Sequence, residues 1–169
     1  MPLLLRAIRK SRWYGVAWLE AEKAQANSLW DLRPEENRLS FWHVEDNKSN
    51  LYQVAAAIAA GRDSPVNFDY ALVDQAFLMK ASVKIEQTAG HSSHKEADEY
   101  WHRDTAELSA DKVAEIANII MEHGLKVRIS KSEVISLVKQ AVTSSAIDVN
   151  PLKDRLKQKE IPNWLEQLL

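Results

Sequence analysis

Between His91 and Asp104 the chain places His91, His94, Glu96, Asp98, Glu99, His102 and Asp104, seven imidazole or carboxylate side chains within 14 residues. That mixture suits Zn²⁺, Mn²⁺ or Fe²⁺, which accept nitrogen and oxygen ligands together. With residues 97–108 read as a helix, Asp98 and Glu99 stand four and three positions before His102 and share its face. His91, His94, Glu99 and His102 are then the candidate ligands of a divalent metal that activates water in a hydrolase or nuclease. The plainer alternative is a polar, solvated loop over 87–98 that leads into a helix burying Trp101. It is preferred, because the spacing matches no strong metal signature.

Two other histidines invite chemistry less. Arg38 and His43 have the Arg-x4-His spacing that supplies a catalytic pair in some helical ribonucleases. Here the pair falls on an expected strand, where residues five apart point to opposite faces. His123 ends an expected helix, where a positive charge favours the dipole.

Much chemistry is excluded by composition. The chain has no cysteine, so disulfides, thiolate zinc sites, iron–sulfur clusters and thiol nucleophiles are absent. Its four glycines, Gly15, Gly61, Gly90 and Gly124, are too scattered for a phosphate loop or a Gly-rich dinucleotide turn. There is no Gly-x-Ser-x-Gly elbow and no His-Glu-x-x-His helix. No cofactor is expected beyond the divalent metal of the histidine reading.

The 169 residues suffice for one ordinary domain, and 46% apolar with 27% charged residues is a globular composition. Met1-Pro2-Leu3-Leu4-Leu5 followed by Arg6 runs opposite to an export signal, and no stretch has the apolar length of a spanning helix. A cytoplasmic protein with no membrane partner is the expectation. The formal net charge is −2, which gives no global case for nucleic acid. Charge is nonetheless uneven. Residues 1–14 hold Arg6, Arg9, Lys10 and Arg12 without an acid, residues 86–122 are acidic, and the chain from 125 onward is basic. Such blocks are solvated faces more often than interaction surfaces.

The elements that would position these groups read as α+β. A strand is expected near 3–9, then either a second strand or an early helix to Ala26. Residues 38–44 alternate as a strand. Ser49-Asn50 can cap a helix over 51–60, closed by a left-handed Gly61. Strands over 68–73 and 81–86 follow, and the order strand–helix–strand suggests a crossover. Beyond 99 the chain reads as helical. Ser109 caps a helix through Met121 that stops at Gly124. Ser130-Lys131-Ser132-Glu133 is a capping box, and Asn150-Pro151 opens another helix. Pro162 then begins a terminal turn. The expected division is a small sheet with a packed helix in 1–86 and a helical part in 99–169, within one compact domain.

The stretch Lys112–Leu125, then Ile129-Ser130-Lys131-Ser132-Glu133, resembles the helix pair of ribbon–helix–helix regulators. That resemblance covers about 30 residues and implies a phosphate-gripping helix start at Ser130. Lys126, Arg128, Lys131 and Lys139 would then be the nucleic-acid-binding residues. Two features depart from the pattern: Lys126 to Ile129 lengthen the turn, and the segment before the first helix is acidic instead of basic. An ordinary pair of capped amphipathic helices is the preferred reading.

Together these point first to a non-enzymatic accessory or regulatory protein of bacterial type. It would act by binding a macromolecule, through a protein partner or self-association. The metal-dependent hydrolase and the DNA-binding regulator are the alternatives. Six tryptophans fit interface anchors as well as core.

Overall fold

The computed structural model describes residues 2–62, 64–92 and 94–147. Six strands form one sheet: β1 (Leu3–Ile8), β2 (Leu39–Val44), β3 (Phe68–Asp74), β4 (Lys84–Gln87), β5 (His102–Ala106) and β6 (Leu125–Ile129). Their order is β4-β5-β2-β1-β3-β6, and every neighbouring pair is antiparallel. Among the described residues four α-helices accompany them: α1 (Leu51–Ala60), α2 (Gln75–Lys80), α3 (Ala110–His123) and α4 (Lys131–Thr143).

The central strands are covered on both faces, which is why Leu3-Leu4-Leu5 of β1 and Tyr70-Ala71-Leu72-Val73 of β3 are continuous apolar runs. Alternation sends Leu5 to a core with Val54, Ala59, Val134 and Val138 of α1 and α4. Its neighbour Leu4 joins Phe41, Leu78, Ile116 and Ile120 beneath α3. The alanines of α1 (Ala55, Ala56, Ala57, Ala59, Ala60) are all buried, so its backbone sits close to its neighbours.

The α+β class is therefore as the sequence implied, but its division is not. The C-terminal part supplies β5 and β6 to the same sheet. The expected crossover exists in a skipping form. β2 and β3 both run antiparallel to β1, hence parallel to one another, with α1 connecting them and β1 lying between. In the same way β5 and β6 run parallel at distant positions, joined through α3 on the opposite face. Reversing both strand direction and helix face leaves handedness unchanged, so the two crossovers have the same hand.

Several local expectations are corrected. After β1 the chain makes neither strand nor long helix but two 3₁₀ turns, Lys10–Arg12 and Ala26–Asp31. These are held from outside: Arg6 donates to the Asp31 carbonyl (2.8 Å) and the Ser40 carbonyl (2.6 Å), and Asn118 accepts from the Ala24 amide (2.9 Å). Asn50 precedes α1 without capping it; its amide instead bonds Glu45 N and the His43 carbonyl. Gly61 is not left-handed (φ −77°). The expected helix over 97–108 is one wide turn, Ala97–Trp101, followed at once by β5. Ser109 and the Ser130–Glu133 box do cap α3 and α4. The Asn150-Pro151 helix and the Pro162 turn lie outside the described residues. Among the described residues no helix is long and apolar enough to cross a membrane.

Candidate functional site

One row across three strands builds a polar recess. In register, Ile8 of β1 faces Asp69 of β3, and Asp69 faces Arg128 of β6. Asp69 is buried, and a carboxylate there must find charged or hydrogen-bonded partners. Arg128 supplies two, Nε to Oδ1 at 2.6 Å and Nη2 to Oδ2 at 2.9 Å, and the Lys10 amide donates a third at 2.8 Å. The Arg128 bonds, chiefly, hold the carboxyl below the usual carboxylate range, against the opposing effect of burial.

The chain leaving β1 folds over this row because a second aspartate gathers it. Asp31 accepts from the Arg9 amide (2.8 Å), from Arg12 Nη1 (2.7 Å) and from the Trp13 indole (2.7 Å). Beyond α1, Arg62 places its guanidinium over the Phe68 ring, 4.9 Å from the centroid. Burial pushes Arg62 down from its ordinary range, while the charge of Asp69 acts the other way.

Together Arg9, Arg12, Arg62 and Arg128, with Asp31 and Asp69, line a recess of about 730 Å³. Two of the arginines are neutralised, Arg12 by Asp31 and Arg128 by Asp69. Arg9 and Arg62 make no ion pair among the described residues, although the charge of Asp69 also reaches Arg62. A guanidinium presents a planar fork of N–H donors that fits phosphate or carboxylate oxygens in pairs. The chemistry available here is recognition of an anion.

The histidine set does not converge. His94 is almost fully buried, its Nδ1 accepts from the Ala97 amide (3.3 Å), and Trp101 stands 5.5 Å away, centroid to centroid. An accepting Nδ1 puts the proton on Nε2, which has no acceptor among the described residues. His102 is turned to Thr88 instead: Thr88 Oγ1 is 2.8 Å from Nδ1 and donates to Asp104 Oδ2 at 3.0 Å. Ser40 Oγ donates to the other oxygen of Asp104 at 3.1 Å, and Trp42 meets the His102 ring edge-on. Desolvation pushes both His94 and His102 down. His91 lies near enough to affect the charge of His102, and the Glu99 carboxylate is taken by the Tyr100 hydroxyl.

Among the described residues no three His, Asp or Glu side chains gather as metal ligands. The physical reason is that β5 begins at His102, so the helical spacing that would align Glu99 and Asp98 with His102 never forms. Nor are 87–98 simply solvated: the Gly90 amide bonds the Asp98 carbonyl (3.0 Å), and Ser92 N bonds the Asp98 carboxylate (2.5 Å).

The basic set 126–139 is likewise divided. The supposed turn is β6, which pairs with β3 and puts α3 and α4 on opposite faces of the sheet. The two helices are not the adjacent pair of a ribbon–helix–helix unit. Lys126 is spent on the α3 terminus, donating to the Ile120 (3.0 Å) and Met121 (2.6 Å) carbonyls. Lys131 opens α4 with its amide on Asn67 Oδ1 (2.9 Å), and Lys139 lies exposed on the same helix. Only Arg128 belongs to the recess.

Sequence reasoning missed Arg62, Asp69 and Asp31. Its one usable signal was the acid-free run Arg6-Arg9-Lys10-Arg12. A second cavity of about 740 Å³ lies between α1 and α4 beside His94, and the charged side chains that line it among the described residues, Lys95 and Glu96, are opposite in sign. Comparison with protein-family models, with curated proteins and with solved structures finds no match for this chain.

Proposed function

We propose that this protein is a non-enzymatic accessory or regulatory protein that binds a macromolecular partner by receiving one of its anionic groups in the arginine-lined recess. The observation that carries this reading is the gathering of four arginines in one recess, where Arg9 and Arg62 make no ion pair among the described residues and Arg12 and Arg128 each have one. Arg62 has given up part of its hydration, and an entering phosphate or carboxylate would supply charge-assisted hydrogen bonds at that position. Asp31 and Asp69 support the reading as scaffolding, since each fixes an arginine and a backbone amide at the rim. With a net charge of −2, attraction to an anionic partner is local to the recess and not a property of the whole molecule.

The test is thermal denaturation at constant ionic strength with sodium tripolyphosphate as the anion. A ligand that binds only the folded state raises the melting temperature with its concentration. The wild type should show that rise, and Arg62→Gln combined with Arg9→Gln should lose it while melting normally without ligand. A wild type indifferent to tripolyphosphate, or a double variant that responds equally, would refute the reading.

A further inference from the structure

We infer that the anionic group is the phosphate of a single-stranded nucleic acid, whose bases stack on Tyr14 and Trp30 beside the recess. This rests on the anion reading above and adds to it a second, independent feature. The segment that supplies the recess with Arg9, Arg12 and Asp31 also carries large aromatic side chains that the core does not use. Tyr14 is 53% and Trp30 58% exposed, whereas Trp13 of the same segment is only 4% exposed.

The backbone that carries these rings adjoins residues that line the recess. Tyr14 is two residues from Arg12 and Trp30 is adjacent to Asp31, and consecutive Cα atoms are about 3.8 Å apart. Both stretches rest on one footing. Asp31 bonds Arg9 N, Arg12 and the Trp13 indole, and the Gln25 amide bonds the Arg12 and Tyr14 carbonyls (3.3 and 3.2 Å). Arg33 lies over the Trp30 ring, 4.0 Å from its centroid.

A cationic groove with flanking aromatic platforms is the arrangement that holds single strands, because every base offers a π face whatever its sequence. A duplex hides those faces and demands a longer basic surface than the recess arginines provide. An acidic peptide would satisfy the arginines and leave the rings unused.

The experiment titrates full-length protein with a fluorescently labelled twelve-residue oligothymidylate and reads anisotropy. Parallel titrations use a duplex of the same length and polyglutamate, and the tripolyphosphate melting assay runs on every variant. The single strand should bind, Trp30→Ala and Tyr14→Ala should each weaken it roughly tenfold, and both variants should keep the full tripolyphosphate response. Arg62→Gln should weaken the oligonucleotide and abolish that response. Duplex or polyglutamate bound as tightly as the single strand overturns the inference. So does oligonucleotide binding that ignores Trp30 and Tyr14 or survives Arg62→Gln. A tripolyphosphate response without oligonucleotide binding overturns the nucleic acid alone and leaves the anion recess standing. Loss of both responses in the wild type overturns the two together.

Discussion

Replacing Asp69 by Asn separates what the aspartate does for the fold from what it does to the recess. The substitution keeps shape and one acceptor oxygen but removes the charge. In the native protein Asp69 accepts from Lys10 N at 2.8 Å in a buried position. Trading a charged acceptor for a neutral one there costs about 1 kcal/mol, the difference between charge-assisted and neutral hydrogen bonds. Arg128, half exposed, is rehydrated when it loses its partner, so its share is small. For a chain of this length the loss corresponds to a drop of about 2–4 °C in melting temperature.

The effect on ligand has the opposite sign. An anion held about 6 Å from the carboxylate is repelled by roughly 1–3 kcal/mol at effective dielectric constants between about 60 and 20. Asp69→Asn should therefore tighten tripolyphosphate about tenfold while lowering the unliganded melting temperature. Calorimetric titration and denaturation on the same samples measure both. Raising the salt should shrink the gain in affinity, since the recess opens to solvent. A variant that melts lower and binds more weakly would show that Asp69 positions the arginines instead of opposing the ligand, and the electrostatic account would fail.

Three further outcomes follow from the packing. Desolvation pushes His94 and His102 below 6.5, so between those lowered values and 6.5 the unfolded chain binds more protons than the folded one. Stability must then fall as pH drops below about 6.5, by at most about 1.4 kcal/mol per pH unit for each histidine. Urea denaturation from pH 7.5 to 5 should show this decline, and His94→Phe should flatten it. Ser130→Ala removes the side chain that accepts Glu133 N and should cost about 1 kcal/mol, read as a drop of a few degrees with the folded circular dichroism spectrum unchanged. At Gly124 an added Cβ would collide with the Ile120 carbonyl oxygen, which belongs to the backbone of α3 and cannot step aside. Gly124→Ala should therefore destabilise by about 1–3 kcal/mol, and melting at or above the wild-type temperature would contradict that geometry.

By itself the sequence determined the local elements whose signals are local. Alternation marked β2, and Ser109 and the Ser130–Glu133 box marked the starts of α3 and α4, because caps and periodicities involve residues within a few positions of each other. The α+β class followed from these. Tertiary structure decided everything that depends on pairing between distant segments. Leu125–Ile129 looked like a long turn because a five-residue strand, LKVRI, shows its nature only when β3 accepts it as a partner. His102–Ala106 carries a polar pattern that became a strand by pairing with β2 and β4. The recess shows the same limit most clearly. Arg9, Arg12, Asp31, Arg62, Asp69 and Arg128 span well over a hundred residues, and the hydrogen-bond register of β1, β3 and β6 gathers them. His94 and His102, by contrast, are close in sequence yet turn to different neighbours, His94 to Ala97 and Trp101 and His102 to Thr88 and Trp42, because the chain becomes a strand at His102.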